Sequence, residues 1–235
     1  MIFAAARARL LEIVVALIGM GRIGHAIARS LSTDGVGCLV QVDPQRIDRE
    51  AEEAVFDYGG WGGEFKVHAM ADRIMQQRPT QLMRPVPSTF EDARDAGLLG
   101  DVDVFVSCAN RAETRRAVVA HARQLGALVV SAAVSIDGSA GEIVRWHPAV
   151  ELACPACLLP PPGAVLPRDS GLPTHTTGLA ASLAVAVLAD TLERGLSTIQ
   201  MANVFQFDEA LSVDSLRVHR RLDCVAGHDL IKLCR

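Results

Sequence analysis

The sequence predicts an α/β fold: a Rossmann-like, doubly wound and mostly parallel sheet with a C-terminal antiparallel extension. Strand-like apolar segments alternate with helical segments through the first two thirds of the chain. A glycine-rich turn follows the first of these strands. Aromatic residues make up only 4% of the 235 residues, so Ala, Val, Leu and Ile must form the core, as in parallel sheets covered by Ala-rich helices.

The N-terminal half is predicted to begin with a short helix over residues 4–11 and a buried, β-branched strand over residues 13–18. Helical spacing from His25 to Leu31 and a second strand over residues 38–42 complete a βαβ unit. Residues 44–63 are polar and end in a glycine-rich run, so we expect a loop there. The remaining predicted elements of this half are a helix over 67–77, a strand over 103–107, a helix over 112–125 closed by Gly126, and a strand over 127–133.

The C-terminal half is predicted to start after residue 136 with an antiparallel strand over residues 142–146. A Pro- and Gly-rich crossing loop over residues 160–173 precedes a helix over residues 178–193, which ends at Gly195. A strand over 199–207 and a terminal strand or tail from Leu216 follow. We therefore expect a single domain over residues 1–235, with a nucleotide-binding half (1–136) and a half (137–235) for the crossover loop and partner binding.

Charge and hydropathy exclude two classes of partner. A net charge of -4 gives no general attraction to nucleic acid or to an acidic membrane surface. Arg7, Arg9 and Glu12 interrupt the apolar N-terminal segment, and the apolar run of residues 178–192 is too short to span a bilayer. We expect a cytoplasmic protein with neither a nucleic-acid nor a membrane partner.

The glycine-rich turn reads Gly19-Met20-Gly21-Arg22-Ile23-Gly24. Glycines there allow a tight turn and the close approach of a phosphate to the backbone, and the following helix N-terminus offers unpaired N–H groups. Asp43 lies nineteen residues after Gly24, where a carboxylate can accept hydrogen bonds from a ribose. These residues predict a nucleotide site. Taken alone they suit an NAD-dependent dehydrogenase, since an acid at position 43 favours NAD over NADP.

The order of several further segments resembles the ThiF/MoeB family, the prokaryotic relatives of ubiquitin-activating enzymes. After the glycine loop comes Gly35 to Pro44, which resembles the family's second strand with its ribose-binding acid, and then Lys66 opens a helix. Further matching segments are Ser107-Cys108-Ala109-Asn110-Arg111, the strand over 127–133, Gly141-Glu142-Ile143 and Cys154-Pro155-Ala156-Cys157.

This resemblance implies an enzyme, often a homodimer, that uses ATP and Mg²⁺ to adenylate the C-terminal carboxylate of a small ubiquitin-like or sulfur-carrier protein or peptide. Asp43 would bind the ribose, and the loop glycines with Lys66 would hold the phosphates. Asn110 occupies the place of the family's metal-positioning Asp, so Lys66 and Asn110 are the catalytic candidates. Arg22 replaces a usual Gly, where it would either contact phosphate or partly block the loop.

Other departures leave two alternatives open. The family's Asn and Arg after the ribose acid fall on Ala51 and Ala54, and the crossover region 163–177 has no cysteine for a covalent step. The chain could therefore be a non-catalytic, nucleotide-binding partner subunit. The glycine loop alone supports an NAD-dependent oxidoreductase, although no catalytic His/Asp or Lys/Tyr arrangement follows the sheet.

Cys154 and Cys157 have a spacing at which two thiolates share one zinc ion. The resemblance implies a second ligand pair near the C-terminus, for which Cys224 and His228 are the counterparts. The alternative is a decayed site in which the cysteines remain thiols. Of the other polar residues, Lys66 could instead be a solvated lysine, Arg115 is expected to be structural, and Cys108 to be a buried thiol rather than a nucleophile.

Overall fold

The computed structural model describes residues 4–55, 58–135, 138, 140–150, 153–159, 174–199, 202–206, 213–216 and 224. The strands are β1 Val14–Ile18, β2 Cys38–Val42, β3 Leu82–Val86, β4 Val104–Ser107, β5 Leu128–Val134, β6 Ala140–Trp146, β7 Ala202–Gln206 and β8 Val213–Leu216. The helices are α1 Ala4–Leu10, α2 Arg22–Asp34, α3 Arg49–Ala54, α4 Lys66–Gln77, α5 Phe90–Asp95, α6 Ala112–Leu125, α7 Pro155–Leu158 and α8 Thr174–Arg194, the last followed by a 3-10 turn at Leu196–Thr198.

The described strands form one sheet in the order β3-β2-β1-β4-β5-β6-β7-β8. The strands from β3 to β5 are parallel, whereas β5–β6, β6–β7 and β7–β8 are antiparallel pairs. This confirms the predicted Rossmann-like sheet with its antiparallel extension. The strand order reverses between β1 and β4, and ligands of open α/β sheets bind at the carboxyl ends of strands at such a point.

Two apolar clusters cover the two faces of the sheet and make a three-layer fold. One joins β1 and β2 to α2, α4 and α8 through buried residues such as Leu17, Leu39 and Leu188. The other joins β2 and β4 to α5, α6 and α7 and includes Phe105 and Val119. Because both faces are covered, the central strands have the nearly continuous apolar character from which they were predicted.

The structure corrects the sequence interpretation at three elements. The predicted loop over 44–63 contains α3, where the Asp48 side chain caps the helix by accepting from the Ala51 N–H at 2.8 Å. β3 and α5 were not predicted. α3 and α5 each span only six residues, and β3 is an edge strand that carries Arg84 and Pro85; proline is tolerated at such an edge because one side of the strand has no partner.

The predicted helix over 178–193 extends from Thr174 to Arg194. Its segment Thr176–Arg194 is long and apolar enough to cross a membrane by length and composition. The helix packs against α1, α2, β5 and β6, as the core helix of a globular fold does. The predicted crossing loop over 160–173 lies outside the described residues.

Candidate functional site

The glycine loop connects β1 to α2, and each of its glycines meets a different constraint. Gly19 has a φ of 96°, which favours glycine. A Cβ at Gly24 would lie 2.0 Å from the carbonyl oxygen of Gly19, so α2 packs directly on the turn. Gly21 is exposed and is the N-cap of α2, and a Cβ there would meet nothing within 4 Å. The loop is therefore tightly packed on its inner side and open at Gly21.

Two side chains hold the backbone of this loop at Met20. The Asp43 carboxylate, at the end of β2, accepts from the Met20 N–H at 2.7 Å through Oδ2 and from the Gln45 N–H at 2.8 Å through Oδ1. The Tyr58 hydroxyl donates to the Met20 carbonyl at 2.6 Å. A carboxylate has about four acceptor positions, so these two bonds leave acceptor capacity at Asp43 for a ribose.

Lys66 is the first residue of α4 and is only 9% exposed. Its ammonium donates to the Gln45 side-chain oxygen at 2.6 Å, and its backbone N–H donates to the Gln45 carbonyl at 3.0 Å. Among the residues that the structure describes, no carboxylate pairs with this ammonium. The alternative of a solvated lysine is therefore wrong, because Lys66 is a buried cation with a neutral partner.

Asn110 lies in the loop after β4, exposed and beyond the carboxyl end of the strand that neighbours β1. Arg115 holds this loop by donating to the Ala109 carbonyl at 2.6 Å, and it also lies 3.5 Å from the Glu142 carboxylate. Burial raises the pKa of Glu142, and the charge of Arg115 opposes this shift. The Arg115 side chain is only 12% exposed and contacts both this loop and β6; that its role is structural stays a prediction.

Cys108 precedes Asn110 and follows the last residue of β4. Burial raises the pKa of its thiol to about 12, although the nearby Arg115 acts in the opposite direction. The thiol is therefore protonated at neutral pH, which agrees with the prediction that it is not a nucleophile.

Two arginines are next in sequence to residues of the candidate site. Arg22 is half-buried at the first residue of α2, next to Gly21, and Arg111 is exposed at the N-cap of α6. Ala51, where the family resemblance places an Asn, is half-buried in α3. The side chain of Ala54 lies outside the described part of the chain.

A second cluster brings three predicted metal ligands together. The sulfurs of Cys154, Cys157 and Cys224 lie within 4.8 Å of one another, with Cys154 at 3.9 Å from Cys157 and at 3.6 Å from Cys224. These distances are far longer than a disulfide. Four thiolates around zinc at about 2.3 Å would be separated by ~3.8 Å, so the donor set and its spacing fit that metal. His228 lies outside the described residues.

Two residues of the candidate site were not found from the sequence. Tyr58 and Gln45 both lie in the segment that was interpreted as a polar loop, and neither belongs to a periodic pattern. Tyr58 is fully buried even though Asp57 precedes it and Gly59 follows it in the sequence. The presence of the chain's single tyrosine in that setting was the one available signal.

Comparisons with known proteins agree with this fold. The model of the ThiF family matches residues 1–224. Ubiquitin-like modifier-activating enzyme 5 of Caenorhabditis elegans is 26% identical over 163 residues, which is 65% of this chain and 39% of that protein. The Mus musculus protein of the same name is 27% identical over 158 residues, or 62% of this chain and 39% of its own length. The chain thus spans about two fifths of the length of these relatives.

Solved structures also match almost the whole chain, at low sequence identity. E. coli MccB with ATP has a TM-score of 0.75 at 14% identity and covers 95% of this chain and 69% of its own. The microcin C7 biosynthetic enzyme MccB in complex with N-formylated MccA has a TM-score of 0.78 at 14% identity, covering 94% and 69% of the two chains. At this identity the likeness establishes the fold.

Proposed function

Because the chain belongs to the ThiF family, we propose that it is an ATP-dependent adenylyltransferase that activates the C-terminal carboxylate of a peptide or a small ubiquitin-like protein. The observation that carries this proposal is the state of Lys66. This residue is 9% exposed, and its ammonium group has a neutral amide as its hydrogen-bond partner. Burying an unpaired charge is costly, so the geometry favours an anionic ligand beside it.

The glycine loop supplies the second part of an anion site. Gly21 opens α2, and the N–H groups in the first turn of a helix have no partner within the helix. A chain of hydrogen bonds connects the loop to the lysine: Met20 to Asp43, Asp43 to Gln45, and Gln45 to Lys66. Backbone N–H groups and a buried ammonium in one connected unit suit the triphosphate of ATP.

In the proposed reaction the acceptor carboxylate attacks the α-phosphorus of ATP, the bond from the α-phosphorus to the bridging oxygen breaks, and pyrophosphate leaves. Lys66, Arg22 and the loop N–H groups would stabilise the charge that develops on the phosphates. Asp43 would hold the ribose. Asn110 would offer Mg²⁺ one neutral oxygen, and the ion would otherwise be held by the phosphates and water, as is usual for Mg²⁺.

Two kinds of relative support the choice of acceptor. Enzymes named ubiquitin-like modifier-activating enzyme 5 match the chain in sequence, and MccB was solved in complex with MccA. The Gly19 loop and Asp43 also fit NAD, so the nucleotide must be tested directly. The replacements at Ala51 and Ala54 keep a non-catalytic partner subunit as the second candidate.

The test is the exchange of labelled pyrophosphate into ATP, with and without peptides and ubiquitin-like carrier proteins that end in a free carboxylate. We expect exchange that depends on the acceptor and disappears when its C-terminus is amidated. Release of ADP and phosphate instead would contradict the proposal, because it would mean that the β–γ bond is broken. ATP binding without exchange for any acceptor would favour the partner subunit.

We also propose that Cys154, Cys157 and Cys224 bind a structural zinc ion, with His228 as the fourth ligand. The cluster ties residue 224 to α7 and hence to the core beside α6. We expect about one zinc per purified chain by elemental analysis, a lower melting temperature after chelation, and loss of zinc in Cys157→Ser. Cys38→Ser is the control, since this half-buried cysteine is not in the cluster. Zinc retained in Cys157→Ser would rule the site out.

A homodimer is the remaining proposal about assembly. It rests on the family resemblance and on Ala54, because a second subunit could supply the arginine that this position lacks. Light scattering should give about twice the chain mass of 25.1 kDa, and a mass of one chain at assay concentration would contradict it.

A further inference from the structure

Met20 is the one residue of the glycine loop whose two backbone polar groups are both held by side chains within the described residues. Asp43 accepts from its N–H and Tyr58 donates to its carbonyl, at 2.7 and 2.6 Å. Asp43 comes from the end of β2, whereas Tyr58 comes from the connection between α3 and α4. Two separate segments of the chain therefore hold the loop by hydrogen bonds.

Tyr58 itself is fixed by its surroundings. It is 0% exposed, and its backbone is held by bonds from its N–H to the Val55 carbonyl at 2.9 Å and from the Trp61 N–H to its carbonyl at 3.0 Å. Its ring lies 6.3 Å from that of His25, in α2, at an angle of 50°. A buried tyrosine hydroxyl requires a partner, and here that partner is the loop carbonyl.

The direction of this bond has a consequence for the next N–H group. In a trans peptide unit the C=O and the N–H point in opposite directions, and the structure contains no cis peptide bond among the described residues. The Met20 carbonyl points to the buried Tyr58 hydroxyl, so the Gly21 N–H points away from that hydroxyl. Gly21 is exposed and has open space where a side chain would be.

We propose that Tyr58 is a positioning residue for nucleotide phosphate: by holding the Met20 carbonyl it aims the Gly21 N–H at the phosphate. This inference rests on the proposed function, since it takes the triphosphate of that reaction as the ligand. Tyr58 does not touch the nucleotide and acts through the backbone. Without its hydroxyl the peptide unit between Met20 and Gly21 can rotate, and the loop loses its preorganised donor.

The test compares wild type with two variants. Tyr58→Phe removes only the hydroxyl, and Trp61→Phe alters the same segment and keeps the Tyr58 hydroxyl. Amide exchange at Gly19 and Met20 is followed without nucleotide, and ATP binding is followed by calorimetry. Because the chain has one tyrosine, ring-labelled wild type gives a single tyrosine signal, which should shift when ATP is added. A merely structural role would lower the melting temperature and leave the ATP affinity of the folded protein unchanged.

For Tyr58→Phe we expect faster exchange at these amides and an ATP affinity weaker by about tenfold, the loss typical of one buried hydrogen bond; Trp61→Phe should resemble wild type. Unchanged exchange in Tyr58→Phe would overturn the inference, as would faster exchange with unchanged ATP affinity. If wild type binds no ATP, the proposed function fails, and the exchange measurement still decides whether Tyr58 holds the loop.

Discussion

At the scale of single residues, Gln45 determines the net charge beside Lys66. Its amide oxygen is a neutral acceptor 2.6 Å from the ammonium, so the pair carries one positive charge that a phosphate can meet. A carboxylate in the same place would satisfy the lysine and repel the phosphate. The chemistry of the site therefore depends on a side chain that need not touch the ligand.

We predict that Gln45→Glu weakens ATP binding by tenfold or more. The new carboxylate would neutralise Lys66 and repel the phosphate, and two charges about 4 Å apart interact by on the order of 1 to 4 kcal/mol. Binding is measured by calorimetry, and the melting temperature should fall little, since the new carboxylate pairs with Lys66. Gln76→Glu is the control, because Gln76 is exposed on α4, the helix that begins at Lys66. Equal affinities for the three proteins would show that Lys66 is not near the phosphate.

At the scale of elements, the packing of α2 on the loop after β1 gives the two loop glycines Gly24 and Gly21 different roles. Gly24 has no room for a Cβ, which would lie 2.0 Å from the Gly19 oxygen. Gly21 has room, an extended backbone with a φ of −78°, and an exposed surface. Packing constrains Gly24, and we expect the proposed ligand to constrain Gly21.

We predict opposite phenotypes for alanine at these positions. Gly24→Ala should lower the melting temperature markedly, because the clash is with backbone and one of the two elements must move. Gly21→Ala should leave the melting temperature nearly unchanged and weaken ATP binding, since the methyl group occupies the open side of the loop. A destabilised Gly21→Ala protein, or an unaffected Gly24→Ala protein, would contradict this account of the loop.

At the scale of the whole molecule, we expect two half-buried histidines to make the stability depend on pH. His121 in α6 packs edge-on against Phe90 and Phe105, with ring centres 6.0 and 5.7 Å away. Burial lowers its pKa, the Gln124 side chain opposes this shift, and the charge of Arg94 adds to it. Burial also lowers the pKa of His147. The folded protein thus favours neutral imidazoles, whereas the unfolded chain takes up protons at its ordinary pKa of about 6.5.

The contribution of the two neutral histidines to the free energy of unfolding is complete above about pH 6.5. It is lost as the pH falls through the lowered pKa values that they have in the folded state. The free energy of unfolding, measured by denaturant titration, should therefore fall between about pH 7.5 and pH 5.5. His121→Gln should be less stable at neutral pH and show a flatter pH profile. The same slope in wild type and His121→Gln would exclude His121 as a cause.

Much of this fold could be predicted, for reasons that particular residues make clear. The apolar residues of β1 and β2, with Gly19 and Asp43 after them, act through local patterns that survive in one sequence. β3 could not be predicted because an edge strand tolerates Pro85 and loses its periodicity. Tyr58 and Gln45 were missed because their roles depend on contacts with Met20 and Lys66, which only the folded chain brings close.

The most direct test of the central claim, that the glycine loop and Lys66 hold the triphosphate of ATP, is calorimetry of the full chain. ATP with Mg²⁺ and, separately, NAD are titrated into wild type, Lys66→Met and Arg49→Met. Arg49→Met is the control, because it removes a positive charge from a side chain that is 92% exposed. We predict binding of ATP and not of NAD, at least tenfold weaker in Lys66→Met and unchanged in Arg49→Met. Binding of NAD alone, or equal ATP affinity in wild type and Lys66→Met, would contradict the account.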